Sequence, residues 1–162
     1  MISRTSLAAV AAAVALFAGS ALAAKAVVYE NAELGIRFSL KKGVGVDAST
    51  AALDHILEAA QGKVRLKVIV RKGERIPEAQ HQFRLMSYFA GEWQMAEEEC
   101  RGTGWGGCRS WNWDSEDGKR KGLGMVGYGP GGTYIVVLHG PSGSFKKDRA
   151  SMRAVQESVQ LF

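Results

Sequence analysis

The sequence predicts an α+β fold, an antiparallel sheet packed against helices, from three observations. One segment, Val64-Leu66-Val68-Val70 interleaved with Lys63, Arg65 and Lys67, alternates with the period of a half-buried strand. Two segments, Leu85 to Cys100 and Met152 to Phe162, place apolar residues at three- and four-residue intervals, as one stripe of a helix does. The stretch from Arg109 to His139 is strand-like and punctuated by Asp117-Gly118 and Gly129-Pro130-Gly131-Gly132.

Taken in order, Val27-Val28-Tyr29 and Ile36 to Leu40 read as two short strands joined through Gly35. Ser49 or Thr50 is then expected to cap a short helix carrying Leu53, Ile56, Leu57 and Ala60 on one face, stopped by Gly62. The alternating strand from Lys63 to Lys72 follows, with Lys63, Arg65 and Lys67 on its outer, basic face. Pro77 opens the longest expected helix, which runs to about Glu99 with Leu85, Met86, Phe89, Trp93, Ala96 and Cys100 as its apolar stripe. Glu97-Glu98-Glu99 would occupy its last turn, where the helix dipole prefers cations.

The next hairpin has a register that can be argued. With Asp117-Gly118 as a two-residue turn, Glu116 meets Lys119 and Asp114 meets Lys121, while Trp113 faces Gly122 and Trp111 faces Gly124. Carrying that register through the second turn puts His139 beside Gly122, in line with Trp113. Tyr134 to Leu138 reads as an interior strand, and a final helix capped by Ser142 or Ser144 carries Met152, Val155, Val159 and Phe162.

The N-terminus carries a basic start at Arg4, an apolar run from Leu7 to Phe17 and the small-x-small triplet Ala21-Leu22-Ala23. This is the layout of a secretory signal peptide, residues 1–23, cleaved to leave one domain at 24–162. The run of about a dozen residues falls short of the ~20 that span a bilayer, so no stable membrane anchor is expected and the protein is placed in the periplasm or outside the cell. Losing Arg4 lowers the net charge from +5 by one, leaving a mildly basic chain with its charges interspersed. That pattern argues against nucleic acid as a partner.

Cys100 and Cys108 are the chain's two cysteines. In an oxidising compartment they read as a structural disulfide, contributing about 2 to 3 kcal/mol on the chain-entropy model. Their spacing is not that of a CxxC redox pair, and His55, His81 and His139 stand at no ligand spacing with them, so no metal is expected. No nucleophile elbow, zinc-protease or phosphate-loop motif is present. Gly122-Leu123-Gly124-Met125-Val126-Gly127 spells a dinucleotide fingerprint, but inside a strand with no helix behind it. No catalytic residue and no cofactor are therefore assigned.

The element order, with Tyr29-Glu30-Asn31 through Gly35-Ile36-Arg37-Phe38-Ser39-Leu40 at the start and Tyr134 to His139 followed by Phe145 to Phe162 at the end, resembles the Mog1/PsbP-like fold, an α/β/α sandwich. Members of such families are mostly non-enzymatic accessory or partner-binding proteins, and the resemblance carries over no functional residue. The compact α+β reading, the absence of a catalytic signature and the tethered Trp105 loop lead to the expectation of an exported binding module that acts through a protein partner, as an accessory subunit or an inhibitor of the immunity-protein kind. The contact candidates are Trp105 and Arg101 in the loop closed by the disulfide, Trp111, Trp113 and His139 on the strands, and the basic face of Lys63, Arg65 and Lys67. Trp105 either folds over an edge of the core or is presented to a partner. The basic face is either solvated or meets an acidic partner or anionic lipid head groups. The alternative function is a small-molecule binder or enzyme with a pocket around His139, Trp113 and Trp111.

Overall fold

A computed structural model describes residues 26–88 and 93–162. The expected signal peptide, and Phe89 of the expected helical stripe, lie outside the described residues. Among the described residues the chain forms β1 (Ala26–Asn31), β2 (Ile36–Lys41), β3 (Val46–Ala51), β4 (Asp54–Gln61), β5 (Val64–Lys72), a 3-10 turn (Glu78–Gln80), α1 (His81–Met86), β6 (Trp93–Glu98), β7 (Gly106–Ser115), β8 (Arg120–Gly129), β9 (Gly132–Pro141), α2 (Ser142–Ser158) and β10 (Gln160–Leu161). The strands make a seven-stranded antiparallel sheet in the order β3-β4-β5-β9-β8-β7-β6 and a three-stranded one, β1-β2-β10. The fold is thus α+β, with more strand and less helix than the sequence suggests.

The middle of the large sheet, around β8 and β9, is buried on both faces. On one face Val64, Leu66, Val68 and Val70 of β5 join Tyr134, Val136 and Leu138 of β9 against Ile36 and Phe38 of the small sheet and Met152, Val155 and Val159 near α2. The alternation read in β5 is the one the structure uses, because only every second side chain can reach this layer. On the other face Ile69, Ile135, Val137, Val126, Trp111 and Trp113 pack with Leu85 of α1.

Two expected helices are corrected to strands. Residues 49–62 form the β3–β4 hairpin, whose turn brings Ala51 opposite Asp54, with Ala52 in the left-handed region at φ 53°. The Ala-, Leu- and Glu-rich composition favours a helix locally, but eight paired residues of β4 against β5 outweigh that propensity. Leu53, expected on a buried helical face, is 67% exposed at the turn.

The helix expected from Pro77 to Glu99 is cut to a 3-10 turn at Glu78–Gln80 and the short α1, and its second half becomes β6. Here Glu97 pairs opposite Trp111 and its carboxylate accepts two bonds from the Arg109 guanidinium, at 2.9 and 3.0 Å. Glu98 pairs with Arg153 of α2. The acidic triplet lies along a strand edge and not at a helix end, so two of its charges are met by arginines distant in sequence.

The hairpin register is as expected at its ladder positions: Asp114 faces Lys121, Trp113 faces Gly122 and Trp111 faces Gly124, with His139 beside Gly122 on the next strand. The connection is longer than two residues, since β7 ends at Ser115 and β8 begins at Arg120. Asp117 closes it, accepting from Ser115 Oγ at 2.6 Å and from the Lys119 amide at 3.0 Å. Lengthening the loop by one residue on each side preserves the register, so the pairing survives although Glu116 and Lys119 leave the ladder. At the C-terminus α2 begins at Ser142 with no side-chain cap, and Val159 turns the chain out of the helix into β10.

Candidate functional site

Ladder geometry places one row of side chains across the face of the large sheet opposite α2. Ala60, Arg65, His139, Gly122, Trp113 and Met95 are successive partners from β4 to β6. The adjoining row runs Glu58, Lys67, Val137, Gly124, Trp111 and Glu97. Arg120, two residues before Gly122, points to the same side, because alternate residues of a strand share a face.

The sequence candidates Arg65, Lys67, His139, Trp111 and Trp113 are therefore brought together. Lys63 is only adjacent, exposed in the turn between β4 and β5. Two members escaped sequence reading. Arg120 could have been found by extending the hairpin register two residues past Gly122. Trp93 could not, because it was assigned to a helix.

The electrostatics of the row are uneven. Lys67 is matched by Glu58 at 2.8 Å. Arg65 donates from Nη1 to the Gly62 carbonyl at 3.0 Å, and neither it nor Arg120 has a carboxylate within 4.0 Å among the described residues. Arg120 donates to His139 Nδ1 at 2.5 Å and lies 6.0 Å from the centre of the Trp93 ring, a cation–π distance. Burial, then the positive charges of Arg120, Arg65 and Lys67, lower the His139 pKa from its usual 6.5 to about 4, so the imidazole is neutral at neutral pH and can accept from Arg120.

The two tryptophans of β7 are 2% exposed. A Cβ on Gly122 would come within 2.2 Å of Trp113 Cζ2, so that ring fills the space over the glycine opposite it, as the register suggested. Gly124 differs: the side chain crowding its face is Leu85 of α1, at 2.6 Å from a built Cβ, and not Trp111 opposite. Trp93 stands edge-on to Trp113 with centroids 4.4 Å apart, and Arg109 lies 5.0 Å from the Trp111 ring. These rings pack on the sheet and wall one side of the basic row.

Trp105 and Arg101 lie across the sheet from that row. Cys100 and Cys108 form a disulfide with Cα atoms 6.1 Å apart. The loop between them pairs with the C-terminus, Thr103 N donating to Val159 O at 2.9 Å and Leu161 N to Thr103 O at 3.0 Å. Gly102 and Gly104 are required there: both have positive φ, 86° and 81°, and a Cβ on Gly104 would sit 2.0 Å from the Leu161 carbonyl oxygen. Trp105 folds back over the core, its ring 6.4 Å from that of Tyr134 and 2.8 Å from a Cβ built on Gly127, with Nε1 buried. It is a lid on the core edge rather than a presented anchor. Arg101 pairs with Glu157 of α2.

A separate open cleft of about 170 Å³ lies between the β1–β2 turn and the β3–β4 hairpin, lined by Asn31, Glu33, Thr50, His55 and Leu57 among others. Lys72 Nζ is 2.7 Å from Glu33 Oε1 and holds that carboxyl below its usual range. Among the described residues no three His, Cys, Asp or Glu side chains cluster as metal ligands would, and no helix is long and apolar enough to cross a membrane.

With two antiparallel sheets, the small sheet and α2 packed together on one face of the large sheet and α1 on the other, the molecule is a PsbP-like α+β protein in fold. It is similar to the solution structure of cyanobacterial PsbP (CyanoP) from Synechocystis sp. PCC 6803, with a TM-score of 0.56 and 14% sequence identity over 91% of this chain and 99% of that one. The match supports the PsbP half of the expected resemblance; at that identity it speaks for the fold and assigns no residue a role. No protein-family model matches the chain and no curated protein matches it.

Proposed function

We propose that the chain is an exported, non-enzymatic binding module, an accessory subunit or an inhibitor of the immunity-protein kind, which docks a protein partner on the sheet face built by Arg65, Lys67, His139 and Arg120. The observation that supports this most is that Arg65 and Arg120 stand exposed on the two strands flanking β9, with no carboxylate within 4.0 Å among the described residues, Arg120 beside the half-buried Trp93. Arginine next to an aromatic ring combines a rigid hydrogen-bonding fork with apolar area, the composition of interface hot spots. Export, to the periplasm or outside the cell, is supported by the leader-like residues 1–23 and by the disulfide.

The test is affinity capture from periplasmic extract with the wild type and with Arg65→Glu/Arg120→Glu. A partner retained by the wild type at low salt should be lost by the charge-reversed variant, and its retention should weaken as salt rises. A partner retained equally by both, independent of salt, overturns this surface assignment.

A further inference from the structure

We infer that Arg65, His139 and Arg120 form a binding site for an oxyanion. The three residues sit on consecutive strands, β5, β9 and β8, with Arg65 directly opposite His139 and Arg120 on the His139 ring. Two strand spacings separate the arginine-bearing backbones by roughly 10 Å, a span over which two such side chains can lean toward one group. Each guanidinium is already restrained, Arg65 by the Gly62 carbonyl and Arg120 by His139 and Trp93. Both keep further N–H groups to donate, since a guanidinium carries five.

The charged groups facing this point are Arg65 and Lys67 from β5, Arg120 from β8 and Glu58 from β4, and Glu58 is engaged by Lys67. The resulting excess is positive, and it adds to burial in lowering the basicity of His139. An anion seated there would relieve it, accept bidentate bonds from guanidinium and favour the imidazolium form. Carboxylates of a polypeptide and small free oxyanions share this chemistry. The inference deepens the docking reading but is tested on the isolated protein, so either can fail alone.

The experiment is a pH titration of the histidine side chains by NMR on the mature chain, at fixed ionic strength in chloride, with sulfate and separately with a hexaglutamate peptide as probes. The His139 pKa should rise by about one unit at saturating probe. Arg65→Gln/Arg120→Gln should weaken probe binding at least about tenfold. Arg149→Gln, which removes an exposed α2 arginine with no carboxylate partner among the described residues, should leave it unchanged. Response to sulfate alone assigns a small-oxyanion site, and response to the peptide assigns polypeptide carboxylates. The inference is overturned if neither probe moves His139 beyond what chloride does, or if the double glutamine variant retains its native amide spectrum and binds as the wild type does.

Discussion

At the scale of single residues, Trp105 and His139 show how a side chain's surroundings decide its role. The Trp105 indole lies over Gly127 and against Tyr134, so Trp105→Ala opens a hole at the core edge. We expect a loss of about 3 kcal/mol in chemical denaturation, the low end for emptying an aromatic site because the residue is only half-buried, with no change in capture of the partner. His139 carries a pH prediction with a definite sign. Its folded pKa, about 4, lies below the ordinary 6.5, so between those values the unfolded chain binds the proton and the folded chain does not. Stability from this residue is complete above about pH 6.5, falls as pH drops toward 4, and levels off below. The limiting slope for one proton is about 1.4 kcal/mol per pH unit, and partial solvation puts the His139 share below that. His81, buried beside Tyr128, is lowered as well and acts in the same direction. His139→Gln should flatten the denaturation midpoint against pH across this window; an unchanged slope assigns the acid sensitivity to His81 instead.

At the scale of elements, α2 begins without a side-chain cap and carries a glycine in its first turn. A Cβ on Gly143 would meet nothing within 4 Å, and its φ is not in the left-handed region. Gly143→Ala should therefore raise stability by about 0.5 kcal/mol through helix propensity alone, visible as a higher denaturant midpoint at unchanged m-value. The opposite lesson comes from β4 and β6. Each reads locally as part of a helix, and each becomes a strand because a partner brought from elsewhere, β5 or β7, offers a ladder. The spacing Leu53, Ile56, Leu57, Ala60 fits a helical face, but the burial of Leu57 and Ala59 between exposed Glu58 and Ala60 has the period of two.

At the scale of the whole molecule, the C-terminal strand ties the parts together. Leu161 is 6% exposed, its amide donates to Thr103, Phe162 N donates to Gly35 O, and Gln160 Oε1 accepts from Arg37 Nε at 2.6 Å. Three residues thus join the small sheet, the β1–β2 turn and the disulfide loop. Deleting residues 160–162 should cost about 3 kcal/mol or more, since burial of Leu161 alone falls in the range of about 2 to 5 kcal/mol for such a site. Hydrogen exchange should show β1, β2 and the 101–107 loop losing protection together. Loss confined to the loop would mean that β10 does not couple them.

The sequence by itself determined what depends on neighbours a few residues apart. The two-residue period of β5, the β7–β8 register, the Trp113–Gly122 complement and the candidacy of Cys100 and Cys108 follow from local spacing, charge pairing and compartment. It also marked Arg65, Lys67 and His139. Tertiary structure alone decided that Arg65 and Lys67 share a face with His139, Arg120 and Trp93 while Trp105 and Arg101 lie across the sheet. It also decided that Leu85, about forty residues before Gly124 along the chain, covers that glycine, and that Glu97 and Glu98 meet Arg109 and Arg153. The physical reason is that sheet pairing and side-chain burial are settled by contacts far apart along the chain, whose energies exceed the fraction of a kcal/mol per residue by which local propensity separates helix from strand.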